Sequence, residues 1–102
     1  VTERKEAQMY GTVAKLCLKP GKLEAFQRNM KRQSEEIAGA VAEYVYRMDD
    51  DPETLYLAVV FESKDAYFKN ANSPEQNERY EEMMQWLTAE PEWHDGEVVF
   101  AG

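Results

Sequence analysis

The segment "TLYLAVVFE", residues 54–62, constrains the fold of this chain more than any other. Its β-branched and aromatic residues mark it as a strand. In extended backbone, Leu55, Leu57, Val59 and Phe61 point one way, and Tyr56, Ala58 and Val60 point the other. An antiparallel strand with one wet face carries polar residues at alternate positions. This strand has two apolar faces. The helices of one small domain cover only one side of a sheet, so the other side needs a partner. A symmetric dimer, sheet against sheet, is the simplest arrangement that supplies it.

The rest of the chain supplies the other elements. "QMYGTVAKLCL" (8–18) reads as a strand that ends at the Pro20-Gly21 turn. In "KLEAFQRNMKRQSEEIA" (22–38), Leu23, Phe26, Met30 and Ile37 recur at helical spacing, and Gly39 marks the end of that helix. "VAEYVYRMD" (41–49) is a second strand, joined to 54–62 through the turn signal "DDPE" as an antiparallel hairpin. Ser63 caps a short helix, "KDAYFKNA". Ser73-Pro74-Glu75-Gln76 is a capping-box start with proline at the first helical position. That helix is expected to run through Tyr80, Met83, Met84 and Leu87 and to stop before Pro91. The last strand is expected at "GEVVF" (96–100), with Asp95-Gly96 as the turn before it.

The order strand, helix, strand, strand, helix pair, strand is that of a ferredoxin-like split βαβ fold. The expected class is α+β: a single domain, residues 1–102 with its core in 9–100, built on a four-stranded antiparallel sheet with helices on one face.

Composition narrows the function classes. At 102 residues and a formal charge of −8, the chain lacks the clustered positive charge that nucleic acid and anionic lipid surfaces select. The only cysteine, Cys17, lies in an apolar run, so no disulfide framework is expected and a cytoplasmic setting is the default. "VTERKEAQ" lacks the apolar core of an export signal, and no apolar run approaches membrane-spanning length.

With these elements in place, "YGTVAKLCLKPGKLEAF", "LYLAVVFESKDAYFKNANSPEQNERY" and "DGEVV" together resemble the antibiotic biosynthesis monooxygenase (ABM) family of the dimeric α+β barrel superfamily. The resemblance spans residues 9–100. It implies a homodimer through the sheet face, with a pocket in each protomer between sheet and helices. It further implies oxygenation of an aromatic polyketide or quinol without metal or flavin, and so no cofactor. Some relatives degrade heme instead, using an Asn on the first strand, a Trp just after the third and a His on the helix after the Ser-Pro. Here the aligned positions hold Thr12, a stretch without Trp, and Tyr80, so that triad is absent. A non-catalytic dimer that binds heme or another hydrophobic ligand is the alternative reading, since tyrosine can ligate heme iron.

Oxygenation without a cofactor needs aromatic walls and a few polar groups that orient a ring and move a proton. Tyr80 and His94 are the candidate proton carriers. Thr12, Tyr44, Tyr46, Phe61, Phe68, Asn70, Met84 and Trp86 are the candidate substrate contacts, with Tyr10 beside them. Each has a plainer role open to it. Tyr44 and Tyr46 share a strand face suited to cross-strand or dimer packing. Phe61, Phe68, Met83 and Met84 suit a core. Asn70 and Asn72 suit a helix cap. Trp93 suits an anchor on the connection to the last strand, with His94 directed away from it. Asp49-Asp50-Asp51 lacks the glycine and distal glutamate of a calcium loop and reads as a solvated turn. No spacing suggests a metal site.

Overall fold

The computed structural model describes residues 8–102. The charged stretch read as lacking an export signal falls mostly in residues 1–7, outside the described residues. Four strands and three helices follow in the order β1 (Tyr10–Cys17), α1 (Leu23–Ser34), β2 (Ala40–Arg47), β3 (Thr54–Phe61), α2 (Lys64–Ala71), α3 (Pro74–Met84) and β4 (Glu92–Glu97). The strands form one antiparallel sheet in the order β2-β3-β1-β4, as the split βαβ reading expects. No helix among the described residues is long and apolar enough to cross a membrane.

Helix starts match their sequence signals. Ser63 Oγ accepts from the Ala66 amide at 3.0 Å and Ser73 Oγ from the Gln76 amide at 3.1 Å, so both serines are N-caps. Only half of the expected capping box forms at α3. The Gln76 side chain turns instead toward Arg79 and Asn70.

Three boundaries differ from expectation. α1 ends at Ser34, before Gly39. There the Ser34 hydroxyl bonds back to the Lys31 carbonyl at 3.3 Å, a local bond that competes with helix continuation, and the Glu36 amide tightens onto Gln33 at 3.0 Å. Gly39, at φ 83°, then redirects the chain into β2. α3 ends at Met84 instead of near Pro91. The following backbone pairs with the end of β1: Lys19 N donates to Trp86 O and Thr88 N to Cys17 O, each at 2.8 Å. The largest difference is β4, which runs Glu92–Glu97 and not 96–100. Asp95-Gly96 is therefore strand, not turn, because Gly96 sits opposite Gly11 and Asp95 opposite Thr12. Gly11 is needed on β1: a Cβ there would lie 1.9 Å from the Val59 carbonyl oxygen.

The helices cover the sheet face that carries Leu16, Ala14, Leu55 and Leu57. Phe26 of α1 and Met83 of α3 close onto these residues, with Leu18 and Leu87 at the edge. Phe26, Leu16 and Leu55 are the largest fully buried side chains. This core fills one end of the sheet. Toward Phe61 and Thr12, at the other end, the helices stand off and leave a cavity.

Candidate functional site

The cavity has a volume of about 380 Å³. Its floor is a row of residues that crosses all four strands. Glu43 on β2 is opposite Val59 on β3, Val59 is opposite Thr12 on β1, and Thr12 is opposite Asp95 on β4. All four line the cavity. Leu57 and Phe61 continue the floor to either side of Val59. Met30 and Gln33 of α1, with Ile37 just beyond its end, form one wall; Tyr67, Phe68 and Asn70 of α2 with Gln76, Arg79 and Tyr80 of α3 form another.

An aromatic cluster defines the Thr12 end. The Tyr67 ring lies 5.4 Å from Phe61 at an interplanar angle of 83°, 5.0 Å from Phe68 at 84°, and 5.2 Å from Tyr10. The edge-to-face pairs are the favoured geometry for such rings. The Tyr67 hydroxyl donates to Asp95 Oδ1 at 2.7 Å. Burial, reinforced by this acceptor, pushes the Tyr67 phenol well above the usual tyrosine range, while the nearby Thr12 hydroxyl acts in the opposite sense. Tyr67 is therefore held protonated, as a donor. Thr12 is only 6% exposed, and its Oγ1 has no partner in hydrogen-bonding geometry. A buried hydroxyl in that state lacks the partner such groups ordinarily have.

A second polar group lies on the helix wall. Arg79 donates through Nη2 to Asn70 Oδ1 at 2.8 Å and through Nε to Gln76 Oε1 at 3.1 Å. Both acceptors are neutral amides, and Arg79 forms no ion pair among the described residues. Arg79 lines the cavity, and its charge is paired with no carboxylate there. Nearby, Glu82 ties α1 to α3 by accepting from Arg32 and Gln33 at 2.7 Å each.

Glu43 is the third feature. It is half-buried, and that burial raises its carboxyl above the ordinary value.

The sequence candidates divide between this cavity and other places. Thr12, Phe61, Phe68, Asn70 and Tyr80 line it. Tyr44, Tyr46 and His94 do not: Tyr44 sits opposite Ala58, Tyr46 opposite Tyr56, and His94 opposite Val13, all on the sheet face away from the helices. Met84 and Trp86 pack against the core, outside the cavity lining. Trp93 reaches the cavity edge because it is in a strand, one position from His94 and on the other face. Tyr67, Arg79, Glu43 and Asp95 were not among the sequence candidates. Tyr67 had a usable signal, since it precedes Asn70 by three residues on the same short helix and so shares its face.

The profile of the antibiotic biosynthesis monooxygenases matches residues 9–90. The chain belongs to the ABM family. Solved structures agree with this at the level of fold. SnoaB, a cofactor-independent oxygenase from Streptomyces nogalater, superposes with a TM-score of 0.76 at 14% identity, covering 91% of this chain and 95% of that one. A candidate ABM protein from Bordetella bronchiseptica gives 0.77 at 18% identity over 91% and 99% of the two chains. A conserved protein from Methanosarcina mazei gives 0.74 at 20% identity over 90% and 94%. Among curated proteins, none matches the chain. Among the described residues, no three His, Cys, Asp or Glu side chains gather as a metal site.

Proposed function

We propose that this ABM-family chain is a cofactor-independent monooxygenase acting on a small hydroxylated aromatic, a hydroquinone or anthrone type of substrate. The observation that carries the reading is the unpartnered Thr12 hydroxyl beside the Tyr67–Asp95 pair, buried in an aromatic cavity. An oxygen-bearing ring completes that arrangement: its hydroxyl meets Thr12, and its faces meet Phe61, Phe68 and Tyr67. Dioxygen is the oxidant. One of its atoms enters the ring carbon as an oxo group, and the other leaves as water; the two hydrogens come from the methylene carbon of an anthrone, or from a ring C–H and a hydroxyl of a hydroquinone. The protein holds the ring, excludes water and handles the proton. The unpaired Arg79 stabilises negative charge that develops on the substrate oxygen. The similarity in fold to SnoaB supports the same chemistry.

The protein works as a homodimer through the outer sheet face. Val13 is 49%, Tyr46 58% and Tyr44 62% exposed there, in register with Ala58 and Tyr56. A contiguous apolar surface of this kind marks an interface.

Heme is poorly matched to this cavity. The sole histidine, His94, is on the opposite face, and the Tyr67 hydroxyl is engaged by Asp95. Tyr80 is the one sequence-predicted ligand that lines the cavity.

Oxygen uptake with a panel of reduced naphthoquinols and hydroxyanthrones tests the reading. Uptake above the buffer rate with at least one member is expected. Uptake at the buffer rate across the panel, with heme or a ring ligand bound but unchanged, would favour a binding protein.

A further inference from the structure

We infer that Glu43 is the catalytic base of this cavity, taking the proton from a ring hydroxyl of the substrate. Three observations support the assignment. Glu43 stands at one end of the row Glu43–Val59–Thr12–Asp95, on the cavity side of β2. Three strand spacings separate the two ends of this row, about 14 Å, so a fused ring system lying on the floor reaches from Thr12 toward Glu43. Among the described residues, no hydrogen bond or ion pair engages the carboxylate: the ion pairs lie elsewhere, at Arg28–Glu24 and Arg32–Glu82. A base that is already hydrogen-bonded is a poorer acceptor; this one is free. Finally, burial raises its basicity toward the range where proton transfer from a phenol becomes effective.

The groups around Glu43 leave the assignment clear. α1 presents Met30, Gln33 and Ser34, the segment after it Ile37, none of them charged, and β3 presents Val59. On its own strand, the next charged side chain on that face is Arg47, four residues along and about 13 Å away. The remaining titratable or charged groups in the cavity are Tyr67, Arg79, Tyr80 and Asp95. Tyr67 is fixed as a donor, and Asp95 is already engaged in accepting its hydrogen bond.

In the step itself, the substrate O–H bond breaks and a new O–H bond forms on a Glu43 carboxylate oxygen. The electron pair stays on the ring oxygen as an aryloxide, the electron-rich form that dioxygen oxidises. The inference takes its substrate class from the proposed oxygenation.

A plainer role is open to Glu43. β2 is an edge strand, and inward-pointing charge on an edge strand discourages pairing with other chains. Binding of 1-naphthol followed by fluorescence from pH 4 to 8 separates the two roles, with naphthalene as the control lacking a hydroxyl. Naphthol is expected to bind about tenfold more tightly once Glu43 ionises, the worth of a charge-assisted hydrogen bond. That dependence disappears in Glu43→Gln and is absent for naphthalene. In oxygen uptake, Glu43→Gln lowers kcat by about a hundredfold or more, beyond a rise in KM of no more than the roughly tenfold lost in binding, and Glu43→Asp recovers part of the rate. Naphthol binding with the same pH dependence in Glu43→Gln, or with none in the native protein, overturns the assignment. Native uptake alongside pH-independent naphthol binding removes Glu43 as base and leaves the oxygenase standing. PH-dependent binding without any uptake removes the oxygenase and leaves Glu43 as the acceptor for a hydroxylated ligand.

Discussion

The Tyr67 hydroxyl meets the Asp95 carboxylate at 2.7 Å, and this one bond joins α2 to β4 across the aromatic end of the cavity. It brings together residues 28 positions apart and fixes which of the two holds the proton. Replacing Tyr67 with Phe keeps the ring stacking and removes the donor. The expected loss is about 1 kcal/mol in denaturant-induced unfolding, with weaker binding of hydroxylated aromatics. A variant as stable as the native protein would show that the bond is not formed in solution.

Thr12→Val gives the opposite sign. The change removes a buried hydroxyl that has no partner and keeps the side-chain shape. Leaving such a group buried costs about 1–3 kcal/mol, so the valine variant is expected to unfold at a higher temperature while binding a ring hydroxyl less well. Lower stability on this substitution would mean that Thr12 is satisfied in the free protein.

Glu43→Gln has a pH-dependent effect on stability. The carboxyl of Glu43 is raised above its ordinary 4.5 by burial. The folded state therefore holds its proton more tightly than the unfolded state does. Glu43's contribution is most favourable below the unfolded value and declines as pH rises through the folded one. Glutamine removes the part that declines. The variant is expected to show a higher Tm than the native protein at pH 7, with the difference closing near pH 4. Differential scanning calorimetry at the two pH values measures this directly.

Gly11→Ala is expected to disrupt the sheet. The added Cβ would stand 1.9 Å from the Val59 carbonyl oxygen, a backbone atom that cannot move aside without parting β1 from β3. A loss of about 3 kcal/mol is expected, measured by urea unfolding. Gly96→Ala on the paired strand meets nothing within 4 Å and should fold normally.

Much of the fold could be read from sequence because its signals are local. Ser63 and Ser73 announce their helices, the "DDPE" turn joins β2 to β3, and Asp51 closes that turn by accepting from Thr54 Oγ1 at 2.7 Å. β4 was misplaced because its identity depends on a distant partner. "EWHDGE" carries little strand propensity, and it becomes a strand by pairing with β1. An Asp-Gly pair that signals a turn by itself is here held extended opposite Thr12 and Gly11.

The site was legible only where residue type alone identifies it. Thr12, Phe61, Phe68, Asn70 and Tyr80 suggest a pocket by their chemistry and lie in one. Glu43 and Asp95 look like ordinary surface acids until the register places them at the two ends of one row. His94 looks catalytic because it is the only histidine, but strand alternation directs it to the outer face, away from the cavity.

The central claim is that this cavity inserts one atom of dioxygen into a hydroxylated ring. Turnover of a reduced hydroxyanthrone under ¹⁸O₂, with the product read by mass spectrometry, tests it most directly. The expected result is one ¹⁸O in the product, formed in proportion to enzyme and strongly reduced in Glu43→Gln. Product that forms at the buffer rate regardless of enzyme, or that carries its new oxygen from water, would contradict it.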